Sequence, residues 1–121
     1  MPDPISHDQL QPIDLSDVLS RIGGDTSFLK ELLAIYFQEY DEKKRLLEEA
    51  VTRQDYKQLS ELGHSLKGAS ANLGLARLQR VALSLEIAGK EGKLQPAKEA
   101  LRSLEAEVLM LKAFLAENPL T

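Results

Sequence analysis

The sequence has 121 residues, 43 % of them apolar and 28 % charged, enough for one hydrophobic core, and no cysteine for a disulfide or thiolate metal site. Fifteen Lys and Arg against nineteen Asp and Glu give a net charge of −4, and no face gathers basic residues alone, which argues against a nucleic-acid partner. No apolar run approaches the roughly 20 residues that span a bilayer, and Met1-Pro2-Asp3-Pro4 lacks the features of a secretory leader, so a cytoplasmic location without membrane insertion is the expectation.

Residues 1–12 hold three prolines and little apolar character and read as a flexible N-terminal tail. Asp14 is placed to cap a short helix, with Ile13 and Val18 spaced for a hydrophobic staple, and Gly23-Gly24 ends it. Asp25 or Thr26 opens a long second helix to about Arg53. Leu29, Leu33, Tyr36, Phe37, Tyr40, Leu47 and Val51 form its main seam, while Phe28, Ile35 and Leu46 fall on nearly the opposite side. Those three either lie under the first helix or contribute to a docking patch.

Asp55 with Gln58 resembles a capping box for a third helix, which Gly74 closes. A fourth is expected from about Leu75 to Ala88, stopping at Gly89. A fifth starts near Pro96, with Leu101, Leu104, Val108, Leu111 and Leu115 at three-four spacing. No segment alternates like a strand. The pattern predicts an all-α domain over residues 13–118, an antiparallel up-and-down four-helix bundle with a short additional N-terminal helix.

Within the third helix, Leu59, Leu62, Leu66 and Leu73 lie within roughly 60° of one another on a helical wheel, and His64 lies about 160–200° from all four. His64 therefore faces outward, with Lys67, Gly68 and Ala71 on the same stripe. A neutral imidazole has a reference pKa of about 6.5 and is nucleophilic at neutral pH without a separate base. Attack on a phosphoryl group gives a dianionic phosphoramidate that Lys67 can pair if its stem folds back along the helix. A carboxylate accepting the Nδ1 proton would leave Nε2 as the nucleophile. Glu86 is the candidate, because on the fourth helix it projects among Leu75, Leu78, Ala82 and Leu83, where a carboxylate needs a partner. The alternative is a rim position paired with any nearby Lys or Arg. A metal site would need a second ligand at helical spacing, and His7, the other histidine, lies in the tail without a neighbouring cation.

The stretch His64-Ser65-Leu66-Lys67-Gly68-Ala69-Ser70-Ala71-Asn72-Leu73-Gly74 closely resembles the signature of histidine-containing phosphotransfer (HPt) domains of multistep two-component phosphorelays. Ile22-Gly23-Gly24-Asp25 with the helix from Phe28 to Phe37 looks like the family's opening segment, and Leu75 to Gly89 with Lys90 like its fourth helix and turn. The resemblance implies that His64 accepts a phosphoryl group from a receiver-domain aspartate and passes it to another. It makes Lys67 the phosphate-side cation, Glu86 the residue that orients the imidazole, and Gly68 the small residue that admits the receiver. Ser65, Ala71, Asn72, Phe28, Ile35 and Lys90 complete the expected binding set, with Ile13 or Leu15 beside them. Gly63 stands where Ala is commoner, at a cost of about 1 kcal/mol in helix propensity.

The expected partners are receiver domains and a sensor histidine kinase. The expected state is a monomer without autonomous catalytic activity or an intrinsic cofactor, the divalent metal belonging to the receiver. Two other readings fit the same residues: a helical scaffold (a pseudo-HPt) that binds receivers without chemistry, and the phosphoacceptor domain of a larger kinase, including one of the chemotaxis type.

Overall fold

The computed structural model describes residues 6–120. After a single 3-10 turn at His7–Gln9 come five helices: α1 (Leu15–Arg21), α2 (Thr26–Arg53), α3 (Tyr56–Asn72), α4 (Ala76–Glu91) and α5 (Leu94–Glu117). No strand occurs among the described residues. The long helices form a closed ring in which α3 packs on α2 and α4, and α5 on α4 and α2. Consequently α3 and α5 occupy diagonal corners. This is the bundle the heptad-like spacing predicts.

Side-chain caps set the helix starts. Asp14, Asp25 and Asp55 each accept a hydrogen bond from the backbone N–H three residues on, at 3.1, 3.0 and 3.1 Å. Ile13 and Val18 are both buried, as a staple requires. Gly74, at φ +65°, turns the chain out of α3, and an added Cβ would sit 2.5 Å from Val18 Cγ2, so this turn admits only glycine. The core gathers Leu29, Leu33, Tyr36, Leu47, Leu59, Leu66, Leu78, Leu85, Leu104 and Leu111 along the bundle axis. Tyr36 and Ser70 share a buried hydroxyl–hydroxyl bond of 2.9 Å that sets the level of α2 against α3.

One expectation changes. The fourth helix does not stop at Gly89 but continues to Glu91 and is capped by Gly92 in the left-handed region. Gly89 is buried in its interior, where an added Cβ would lie 2.5 Å from Ser60 N and 2.8 Å from the Tyr56 carbonyl oxygen. Gly63 makes the reciprocal approach from α3, its hypothetical Cβ 2.7 Å from Glu86 N and 3.1 Å from the Ala82 carbonyl oxygen. These glycines mark where two backbones nearly touch, which a reading of helix propensity treats as a stop signal or a defect. The fifth helix begins at Leu94 and carries Pro96 in its first turn, in keeping with a start expected near Pro96.

The described part of the expected tail, residues 6–12, lies against α4 and α5; residues 1–5 fall outside the described residues. Arg77, buried at the start of α4, grips Glu107 through Nε and Nη2 at 2.7 and 2.9 Å and donates Nη1 to the His7 carbonyl at 2.6 Å. It also reaches the Leu10 carbonyl at 3.3 Å. His7 Nε2 completes the cluster, 2.8 Å from Glu107 Oε1. His7 thus does have a cation beside it, contrary to the sequence reading. Burial works to raise the Glu107 carboxyl, but the bonds from Arg77 and then His7 outweigh it and hold the group below its ordinary value.

Replacing Gly89 by Ala adds about 1 kcal/mol of helix propensity yet forces α3 and α4 apart. The overpacking term of about 1–3 kcal/mol should win, giving a net loss of stability in chemical denaturation. Leu66→Ala, on the buried seam, should cost about 2–5 kcal/mol, whereas His64→Ala should change stability by less than about 1 kcal/mol.

Candidate functional site

His64 stands near the middle of α3 with its side chain 71 % exposed, while Glu86 on α4 is 5 % exposed. Their contact joins His64 Nδ1 to Glu86 Oε2 at 3.0 Å. Lys67, one turn along α3, donates Nζ to Glu86 Oε1 at 2.7 Å, and Lys90, one turn along α4, places Nζ 3.4 Å from Oε2. Three basic groups therefore converge on one carboxylate at the edge between two helices. The close backbone approach at Gly63 is what brings that carboxylate within reach.

The Lys67 hydrogen bond is the largest influence on Glu86, opposed by desolvation and helped by the His64 bond and the charges of Lys67 and Lys90. The balance pulls the carboxyl from its ordinary 4.5 down to about 2. An ionised carboxylate only accepts, so Nδ1 must be the nitrogen that carries the proton and Nε2 of a neutral ring keeps its lone pair. The open side of the ring is bordered by small groups. Gly68 is exposed with nothing within 4 Å of a Cβ position, and Ser65, Ala71 and Asn72 are exposed alongside it.

The structure brings His64, Lys67, Glu86, Gly68 and Lys90 together and separates others from them. Ile13 is core, 2 % exposed, and Leu15 is half-buried, so neither is an outward docking residue. Phe28 and Ile35 are exposed, as a docking role requires. However, α2 runs antiparallel to α3 with Tyr36 level with Ser70, which puts Phe28 some 14 residues, roughly 21 Å, along the bundle from His64. Ile35 lies nearer, level with Ala71.

Leu83, expected in the apolar stripe of α4, is exposed, and so is Ile87. With Glu86 and Lys90 they occupy about 100° of the α4 surface adjoining His64. Sequence reasoning missed this pair because a wheel centred on Glu86 cannot tell which flank of the carboxylate meets α3. Among the described residues, no cluster of three or more His, Asp or Glu is placed to hold a metal ion, and no helix is long and apolar enough to cross a membrane.

The fold is an antiparallel helical bundle that displays the His64 imidazole, held through Nδ1 by a buried carboxylate and flanked by lysines and small residues. The chain belongs to the Hpt domain family, whose family model matches residues 31–114. It is 36 % identical over 74 residues to multistep phosphorelay regulator 1 of Schizosaccharomyces pombe, a match covering 61 % of this chain and 23 % of that protein. The chain thus corresponds to under a quarter of that relative's length.

The depressed Glu86 value has a consequence for pH. A carboxyl whose folded value lies below its unfolded one favours the folded state when ionised. That contribution is complete above about 4.5 and disappears as pH falls through about 2. A side-chain carboxyl NMR titration should find Glu86 ionised between those values, and Lys67→Met should move its midpoint upward. A midpoint near 4.5 in the unmutated chain would contradict the geometry.

Proposed function

We propose that this chain is a phosphorelay intermediate in which His64 accepts a phosphoryl group from a receiver-domain aspartate and passes it to another. One observation carries the reading: Nδ1 of an exposed ring is held by an ionised, buried carboxylate, which leaves Nε2 free and aimed away from α4. The Nε2 lone pair attacks phosphorus of the aspartyl phosphate. A P–N bond forms, the P–O bond to the aspartate breaks, and the aspartate leaves as a carboxylate. The ring then bears positive charge, which Glu86 stabilises through the Nδ1–H bond.

Lys67 and Lys90 are parked on Glu86, within a side-chain swing of the new phosphate. Their transfer from carboxylate to phosphate compensates the incoming charge without burying it. The chain would supply nucleophile, orientation and surface, and the receiver's divalent metal most of the charge stabilisation of the moving phosphoryl group. On this reading it is not an autonomous enzyme, and it acts in the cytoplasm with a sensor kinase upstream. Gly68, Ala71, Ser65 and Asn72 form the clearance that admits the receiver. Leu83, Ile87 and Ile35 offer the apolar contact, and Phe28 lies too far along the bundle to take part without a large receiver footprint.

Incubation with a phosphorylated receiver should label the chain with an acid-labile, base-stable phosphate, and His64→Gln should abolish the label. Labelling of His64→Gln at the unmutated rate would refute the assignment. Gly68→Gln should leave the bundle folded and small-donor labelling by phosphoramidate largely intact, while transfer from a receiver falls at least tenfold. Equal losses with both donors would exclude a steric role for Gly68.

A further inference from the structure

The outer face of α5 takes no part in the core or in the His64 site. The core-facing residues Ala97, Ala100, Leu104, Val108 and Leu111 define one side of this helix. Diametrically opposite lie Arg102, Ala106, Leu109, Met110, Ala113 and Glu117, all exposed. Leu109 is 68 % exposed and Met110 43 %, and no charged side chain interrupts the stripe between Arg102 and Glu117. The apolar part of this face runs from Ala106 to Ala113, about two helical turns, and is bounded by opposite charges at Arg102 and Glu117.

The order of the residues supplies the second observation. Around a point midway between Leu109 and Met110, the six positions pair off symmetrically: Leu109 with Met110, Ala106 with Ala113, Arg102 with Glu117. A two-fold axis through that point, perpendicular to α5, superposes the stripe on itself with the helix direction reversed. Under that operation the two large apolar side chains meet at the axis and the alanines flank them, letting the backbones approach closely. Each Arg102 faces a Glu117 of the other copy. An isologous interface requires this kind of self-complementarity, and here the pairing matches side-chain size and opposes charge.

We propose that a second copy of this chain docks on this face, forming a two-fold symmetric dimer through antiparallel packing of α5 on α5. This departs from the monomer expected on sequence. The pairing is compatible with the His64 site, since α3 occupies the corner of the bundle diagonal to α5. Both copies would present their imidazoles outward, on opposite sides of the assembly. Contact along one helix pair over roughly 22 Å buries less surface than the about 1,200 Å² at the lower edge of stable interfaces. The dimer is therefore in exchange with monomer and populated at high local concentration.

Sedimentation equilibrium of the full chain should show mass rising from 13.4 kDa toward twice that value as concentration increases from about 10 μM to 1 mM. Leu109→Glu should weaken association about tenfold or more, with helicity by circular dichroism unchanged because the residue is exposed. The decisive arm exploits the symmetry. Arg102→Glu and Glu117→Arg should each weaken self-association. An equimolar mixture of the two single variants should associate more strongly than either alone, because every facing pair in the mixed dimer is again of opposite sign. The double variant carrying both changes should recover the unmutated behaviour. A monomeric mass throughout the range overturns the proposal and leaves the stripe to solvent or to a different protein. A dimer indifferent to Leu109→Glu, or lacking the charge-swap recovery, overturns this geometry.

Discussion

The site depends on how closely two backbones can approach. Glu86 reaches the His64 ring because α3 and α4 lie nearly in contact, and they do so because Gly63 and Gly89 present hydrogen where any other residue presents a carbon. The two glycines act from opposite partners, each filling the hollow beside the other helix's backbone. Helix propensity lost at these positions, about 1 kcal/mol each, is offset by packing between the two helices that share the most contact in the bundle. A geometry set by backbone contact is stiffer than one set by long side chains, and that stiffness holds the His64 ring and the Glu86 carboxylate in one arrangement.

Electrostatics then acts on what packing has placed. A nearly buried carboxylate with a single partner would be costly, and Glu86 has three. The arrangement keeps the carboxylate ionised, fixes the ring's proton on Nδ1, and holds two ammonium groups at the edge of the helix pair. The α4–α5 side solves the same problem differently. Glu107 is matched by a guanidinium that is itself buried, and its histidine partner uses Nε2, the nitrogen that His64 leaves open. The two clusters share residue types and differ in which ring nitrogen faces the carboxylate and in how far the ring is exposed.

Much of this was legible in the sequence, for identifiable reasons. The outward direction of His64 follows from the seam of Leu59, Leu62 and Leu66, since a strong apolar stripe fixes the opposite face within a fraction of a turn. The caps at Asp14, Asp25 and Asp55 are local and depend on nothing distant. The role of Gly89 was not legible. A glycine at a close approach and one at a helix end look alike until the neighbouring backbone is known. The same limit applies to Leu83 and Ile13, whose exposure depends on which flank another element covers. It applies as well to residues 6–12, whose order rests on Arg77 and Glu107, some seventy and a hundred positions away.

The hold on that N-terminal segment is exerted largely through main-chain oxygens, the carbonyls of His7 and Leu10. A guanidinium that binds carbonyls recognises the path of the chain and is indifferent to most of the side chains along it. Substitutions within the segment are therefore tolerated wherever the path survives, His7 excepted. Loss of the segment as a whole would remove two carbonyl partners from Arg77 at the first turn of α4, the helix that carries Glu86. The packed structure accordingly extends upstream of the first helix, into a stretch whose own composition gives no sign of it.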